Sequence, residues 1–129
     1  MKLLYLAQSD IPSQAANSVH VMKMCDAFSA QGCEVSLWLP ARKVPANAVE
    51  VCSYYGVSPS FEIRWLSRIA WLKPSYAYAW QIWARLLKAR QLPDLVFSRS
   101  LLGAVSALLA GANVVLEVHQ PMRDSGFLQ

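Results

Sequence analysis

Toward the end of the chain Glu117 and His119 stand two apart, separated by Val118. On a regular strand that spacing puts both side chains on one side, while Val118 faces the opposite layer. A carboxylate beside an imidazole at a strand's carboxyl end suits a ligand site, and it equally suits hydrogen bonds that secure the strand end. His20 falls in the first turn of an expected helix, where it can face a cleft or serve as a surface or capping side chain. Arg99 follows another strand pattern and can neutralise an anion or pair with an acid such as Asp124. The loop over residues 8–18 leads into a helix N-terminus, whose unpaired N–H groups and positive dipole end favour phosphate. That loop contains no glycine, and the chain has neither Gly-x-Gly-x-x-Gly nor a Walker lysine. The two commonest nucleotide-binding readings of an α/β fold therefore lose their main support. No Ser-His-Asp or metal-ligand spacing can be assembled, so neither a metal nor a cofactor is expected.

Groups so far apart in sequence need a folded core to bring them together. The chain has 129 residues, of which 55% are apolar and 16% charged, which is one domain's length with ample material for burial. Five glycines and seven prolines exclude a collagen-like or linker composition. Cys25, Cys33 and Cys52 form no Cys-x-x-Cys pair, excluding a disulfide scaffold and a zinc ribbon, and are expected to be reduced.

The net charge of +4 resides in one stretch. Residues 61–92 hold Arg64, Arg68, Lys73, Arg85, Lys88 and Arg90 against the single acid Glu62, so this window carries +5 and the remainder −1. Trp65, Trp71, Trp80 and Trp83 lie in the same window. Basic and aromatic residues so mixed suit an anionic, amphipathic surface better than nucleic acid, and no nucleic-acid partner is expected. Arg64, Trp65, Arg68, Trp71 and Lys73 are the expected membrane contacts, because the core is expected to claim Trp80 and Trp83.

The apolar start at residues 3–7 stops at Gln8-Ser9-Asp10, short of a signal peptide's apolar region, and reads as a strand. The longest uncharged run is the seventeen residues between Arg99 and Glu117. Its Gly111-Ala112-Asn113 turn signal divides it into a buried helix and a strand instead of a membrane span. A cytoplasmic protein is expected, peripheral on a membrane at most.

Strand and helix patterns alternate throughout, as in a parallel sheet covered by helices. Strands are expected at residues 3–7, 34–39, 61–65, 95–97 and 114–118. The first helix is expected after Asn17 or Ser18, either of which can cap it, with Val21, Cys25 and Phe28 buried and Gly32 ending it. Helices are also expected at residues 46–56, after Pro74, and at 100–110. In the one after Pro74 the pattern predicts Tyr76, Ala79, Trp80, Trp83, Leu86 and Leu87 inward and Gln81, Arg85 and Lys88 outward. The expectation is an α/β Rossmann-like three-layer sandwich with a mainly parallel five-stranded sheet ordered 3-2-1-4-5. Its strand carboxyl ends would carry the loop 8–18, Ser98-Arg99-Ser100 and the stretch from Glu117 onward.

Several segments together, MKLLYLAQSDIPSQAANSVHVMKMCDAFSAQGCEVSLWLP, LPDLVFSRS and VVLEVHQP, resemble the N-terminal domain of retaining GT-B glycosyltransferases of family 4, group 1 type. The resemblance spans residues 1 to about 121, with a weaker middle. It implies a two-domain enzyme that moves a sugar from a nucleotide-sugar donor to an acceptor with retention of configuration. The present chain corresponds to the acceptor-side domain, residues 1–129, expected to be truncated and inactive without a nucleotide-sugar-binding C-terminal domain. The acceptor is a saccharide, a lipid-linked sugar or a small molecule.

By the same resemblance, Ser13, Ala15, Ala16 and Asn17 would face the donor diphosphate, and Ser18, His20 and Arg99 would hold the acceptor. His119 would be catalytic near the reacting carbon, and Glu117 would support it. Many relatives carry Gly-Gly where this chain has Ala15-Ala16, and a histidine where it has Cys33. Two alternatives stand beside this reading: a non-catalytic Rossmann-like module for nucleotides or sugars, and a membrane-surface adaptor.

Overall fold

The computed structural model describes residues 1–42 and 46–117. Five strands, β1 (Lys2–Leu6), β2 (Glu34–Leu39), β3 (Glu62–Trp65), β4 (Leu95–Ser98) and β5 (Val114–Leu116), form one sheet. All its neighbours are parallel and the order is β3-β2-β1-β4-β5. The helices α1 (Ala16–Ala30), α2 (Ala48–Tyr55), α3 (Pro74–Lys88) and α4 (Leu101–Leu109) fill the crossovers. This is the expected α/β Rossmann-like layout.

Alternation along β1 divides the core. Leu3 and Tyr5 face α1 and α2, where Val21, Met22, Cys25, Val51 and Cys52 meet Leu37 and Ile63. Leu4 and Leu6 face the other layer with Val96, Tyr78, Ile82 and Leu86. A central parallel strand buried on both sides needs such a continuous apolar run.

Helix α1 starts at Ala16, with Ala15 as a cap lacking any side-chain hydrogen bond, and not after Asn17 or Ser18 as expected. The Ser18 hydroxyl is already engaged: it bonds the Ser13 hydroxyl at 2.8 Å and donates to the Asp10 carbonyl at 3.0 Å. Of the expected buried face, Val21 and Cys25 are fully buried and Phe28 partly so. Gly32 follows the helix at φ +96°, a left-handed conformation natural to glycine. Helix α2 is shorter than residues 46–56, running from the Asn47 cap to left-handed Gly56.

The orientation of α3 overturns the expected one. Ala77, Tyr78, Gln81, Ile82 and Leu86 are buried, whereas Tyr76, Trp80, Trp83 and Leu87 are exposed. Polar tips favour the observed facing, because Tyr78 and Gln81 reach backbone groups at the sheet end. The Tyr78 hydroxyl donates to the Trp38 carbonyl at 2.6 Å and accepts from the Ala7 N–H at 2.9 Å. The Gln81 amide accepts from Ser67 N–H and donates to the Ser67 carbonyl. Tryptophan has no acceptor for the Ala7 and Ser67 N–H groups, so in those positions it would forfeit these bonds, although the Ala7 N–H also reaches the Trp38 carbonyl directly at 3.5 Å.

Helix α4 is not wholly buried either. Gly103, Ala104, Ser106 and Ala107 face inward, and Leu101, Val105, Leu108 and Leu109 face solvent. Small inward residues let α4 lie close to α3 and β4. Among the expected membrane contacts, Arg64, Arg68, Trp71 and Lys73 are exposed, but Trp65 is half-buried and its indole N–H donates to the Ile11 carbonyl at 3.1 Å. Trp65 is therefore a bracket for the first loop. Strand β5 is described as Val114–Leu116; Val118, expected within it, lies outside the described residues. Among the described residues no helix is long and apolar enough to cross a membrane.

Candidate functional site

The strand order reverses direction at β1, whose neighbours β2 and β4 lie on opposite sides. In open α/β sheets ligands bind at such a switch point, beyond the strand carboxyl ends. The loop after β1 and the turn after β4 meet there. Gln8, Ser9, Asn17, Arg99 and Ser100, with Leu101 and Leu102, line a cleft of about 370 Å³.

Two helix N-termini open at this edge. Ser100 caps α4 by accepting from the Gly103 N–H at 3.1 Å, and the Gln8 side chain donates to the Ser100 hydroxyl at 2.7 Å. That bond ties the β1 loop to the α4 start. Neither the α1 nor the α4 first turn has intrahelical acceptors for its leading N–H groups, and both dipoles present their positive ends here. Gly103 permits the fit, since a Cβ on it would lie 3.3 Å from Ser98 Oγ and 3.4 Å from Leu6 Cδ1.

Beside the cleft, Glu117 joins three segments. Its Oε1 lies 3.1 Å from His20 Nε2 in α1 and 3.2 Å from Arg99 Nε after β4. The Arg99 contact is an ion pair without hydrogen-bond alignment. Arg99 donates from Nη1 to the Asn17 carbonyl at 3.2 Å, and its side chain is only 6% exposed. Arg99 thus pairs with Glu117, a pairing the sequence did not suggest; Asp124, the acid named for it, lies outside the described residues.

Beneath this group, the fully buried Tyr5 hydroxyl has no hydrogen-bond partner among the described residues. Burial pushes its phenol well above the ordinary range, the Glu117 carboxylate adds to the rise, and Arg99 opposes it. Tyr5 therefore stays protonated.

The first loop is braced from the α2 side. Tyr55 Oη accepts from Ser13 N–H and donates to the Ser13 carbonyl, both at 2.7 Å. Arg42 holds Asp10 at 2.9 Å and donates to the Pro12 carbonyl.

The structure thus brings His20, Asn17, Arg99 and Glu117 together. Ser13 and Ser18 form the loop's internal lock, and Ala15, Ala16 and Asn17 are exposed at the start of α1. His119 lies outside the described residues. Arg64, Arg68, Trp71 and Lys73 belong to β3 and the connection into α3, away from this cleft. Sequence reasoning included Gln8 only as part of the loop 8–18 and missed Tyr5, Arg42 and Tyr55. Only Ser100, three residues before Gly103 at a helix start, left a readable capping signal. The described residues contain no group of three or more His, Cys, Asp or Glu able to hold a metal ion. No protein-family model matches this chain, and no curated protein matches it.

Proposed function

We propose that this chain is the acceptor-side Rossmann-like domain of a retaining GT-B glycosyltransferase, similar to family 4, group 1 type. The observation that carries the reading is the joining of His20, Arg99 and Glu117 beside the cleft where α1 and α4 direct their N-termini. The resembling segments supply each of those parts, and the strand order has the form the reading requires.

On this reading the two helix N-termini, as preorganised dipoles, and Arg99, which the resemblance by itself puts on the acceptor side, stabilise charge that develops on the departing diphosphate of the nucleotide sugar in a partly dry site. Glu117 holds Arg99 in place and sets the His20 ring toward the acceptor, a saccharide, lipid-linked sugar or small molecule. The bond from the anomeric carbon to the diphosphate oxygen breaks, the sugar passes through an oxocarbenium-like state, and the acceptor hydroxyl bonds the same face as its proton passes to the departing diphosphate oxygen. His119 would complete the sugar's surroundings. The donor's base is read chiefly by a second Rossmann-like domain, so the 129-residue chain alone holds donors weakly and does not turn them over.

Ligand-observed NMR with a panel of nucleotide sugars tests this. Contact in the millimolar range, roughly −4 kcal/mol, with saturation strongest on hexose and lost in Arg99→Ala, is the expected result. Micromolar binding that reads the base would make a self-sufficient nucleotide module the better reading. No contact with any donor, even at about ten times the millimolar scale, retires both.

A further inference from the structure

Helices α3 and α4 share one layer, and each turns an apolar row away from its buried side. Tyr76, Trp80, Trp83 and Leu87 recur at helical spacing opposite Tyr78 and Ile82, and all four are exposed, Trp80 by 56%. On α4, Val105, Leu108 and Leu109 stand out opposite Ala104 and Ala107. Trp71, in the connection into α3, is 83% exposed. Single exposed apolar residues need no explanation, but rows of them on adjoining helices mark a contact surface.

The surrounding charge has one sign. From residue 63 to residue 116 the sequence contains one acid, Asp94, whose carboxylate accepts from the Lys2 backbone N–H at the start of β1. Lys73 and Arg90 are exposed at the two ends of α3 and Lys88 at its side, whereas Arg85 stands opposite the aromatic row and lies 6.0 Å over the Trp38 ring.

We propose that this α3/α4 face docks on an anionic lipid bilayer. An outward row of Trp, Tyr and Leu flanked by cations is the makeup of a helix lying in the lipid–water interface, where aromatic rings seat at headgroup depth. The cations add attraction to anionic headgroups, and neither helix has an acid to oppose them. A second copy of the chain would instead bring these cations against their equals, which like-charge repulsion disfavours. The contact thus runs through Trp80, Trp83 and Leu87. It uses no residue of the β1/β4 cleft, so it stands or falls apart from the glycosyl-transfer reading.

Vesicle flotation of the full chain tests the proposal, comparing phosphatidylglycerol–phosphatidylcholine vesicles with phosphatidylcholine alone. Binding to the anionic vesicles that weakens with salt is expected, reduced at least about tenfold in Trp80→Gln/Trp83→Gln and about tenfold or more in Lys73→Glu/Lys88→Glu. Vesicles with brominated acyl chains should quench tryptophan emission of the parent chain, a readout independent of how any variant folds. The proposal is overturned by absence of binding, by unquenched emission of bound protein, or by equal binding of well-folded variants. It is equally overturned if the tryptophan variant disrupts a dimer in sedimentation and leaves vesicle binding intact, which would assign the face to a second copy.

Discussion

His20 and Glu117 lie 97 positions apart in the chain, yet His20 Nε2 and Glu117 Oε1 meet at 3.1 Å. The contact ties the second turn of α1, which starts earlier than the sequence suggests, to the residue after β5 and leaves Arg99 beneath, nearly withdrawn from solvent. Its two arms differ in exposure, since the His20 side chain is 44% exposed and the Arg99 side chain 6%.

That asymmetry makes Glu117→Gln costly and His20→Ala mild. Removing the carboxylate strands the buried guanidinium and should lower stability by about 1–3 kcal/mol, less than a fully buried pair because Glu117 is itself partly exposed. His20→Ala should change stability by no more than about 0.5 kcal/mol. Urea unfolding of both variants checks the order; equal losses would mean that Arg99 does not depend on Glu117.

Two buried tyrosines should answer oppositely to loss of the hydroxyl. Tyr78→Phe removes the bridge between the Ala7 N–H and the Trp38 carbonyl and should cost about 1–3 kcal/mol. Tyr5→Phe removes a hydroxyl with no partner among the described residues and should be neutral or stabilising by up to about 1 kcal/mol. Thermal melts of the pair decide the point, and a large loss in Tyr5→Phe would reveal a partner for that hydroxyl.

Gly103→Ala sets helix propensity against packing. Alanine gains about 1 kcal/mol in a helix interior, but its Cβ would press on Ser98 Oγ, which donates to the Ser100 carbonyl. Overpacking costs about 1–3 kcal/mol, so a net loss of up to about 2 kcal/mol is expected by chemical denaturation. A stabilised variant would show that the α4 start can shift away from β4.

Alkaline conditions should unfold the protein through its buried acids. Burial raises Cys25 above its ordinary 9.0, and Tyr5 and Tyr78 above 10.0. In the unfolded chain these groups lose protons near their ordinary values while the native state keeps them. The unfolded state then binds fewer protons, so stability falls as pH rises from about 9 upward. Denaturant midpoints between pH 7 and 11 measure it; a flat profile would contradict the assigned burial. Under native conditions at pH 8 a thiol reagent should modify half-buried Cys33 ahead of buried Cys25 and Cys52, with all three reacting in urea.

The alternation of strand and helix, the strand order and the junction of the first loop with the 98–100 turn were legible in the sequence. Apolar runs such as residues 3–7, and punctuation by Gly32, Gly56 and Pro93, act locally. Period and turn chemistry need no knowledge of distant residues, and the parallel pattern then limits the topology. Glu117, Arg99 and His20 were legible as polar groups at the right edge, but not as one cluster, because their distances depend on how far each strand extends and where α1 begins.

The facing of α3 was decided by the tertiary structure alone. Its sequence is apolar or aromatic around much of the helix, so two opposed stripes compete for the sheet. The choice fell to Tyr78 and Gln81, whose polar tips add hydrogen bonds to backbone groups at Ala7, Trp38 and Ser67. Those groups become neighbours only once β1, β2 and the chain after β3 have come together, and satisfying buried hydrogen bonds then outweighs burying two tryptophans.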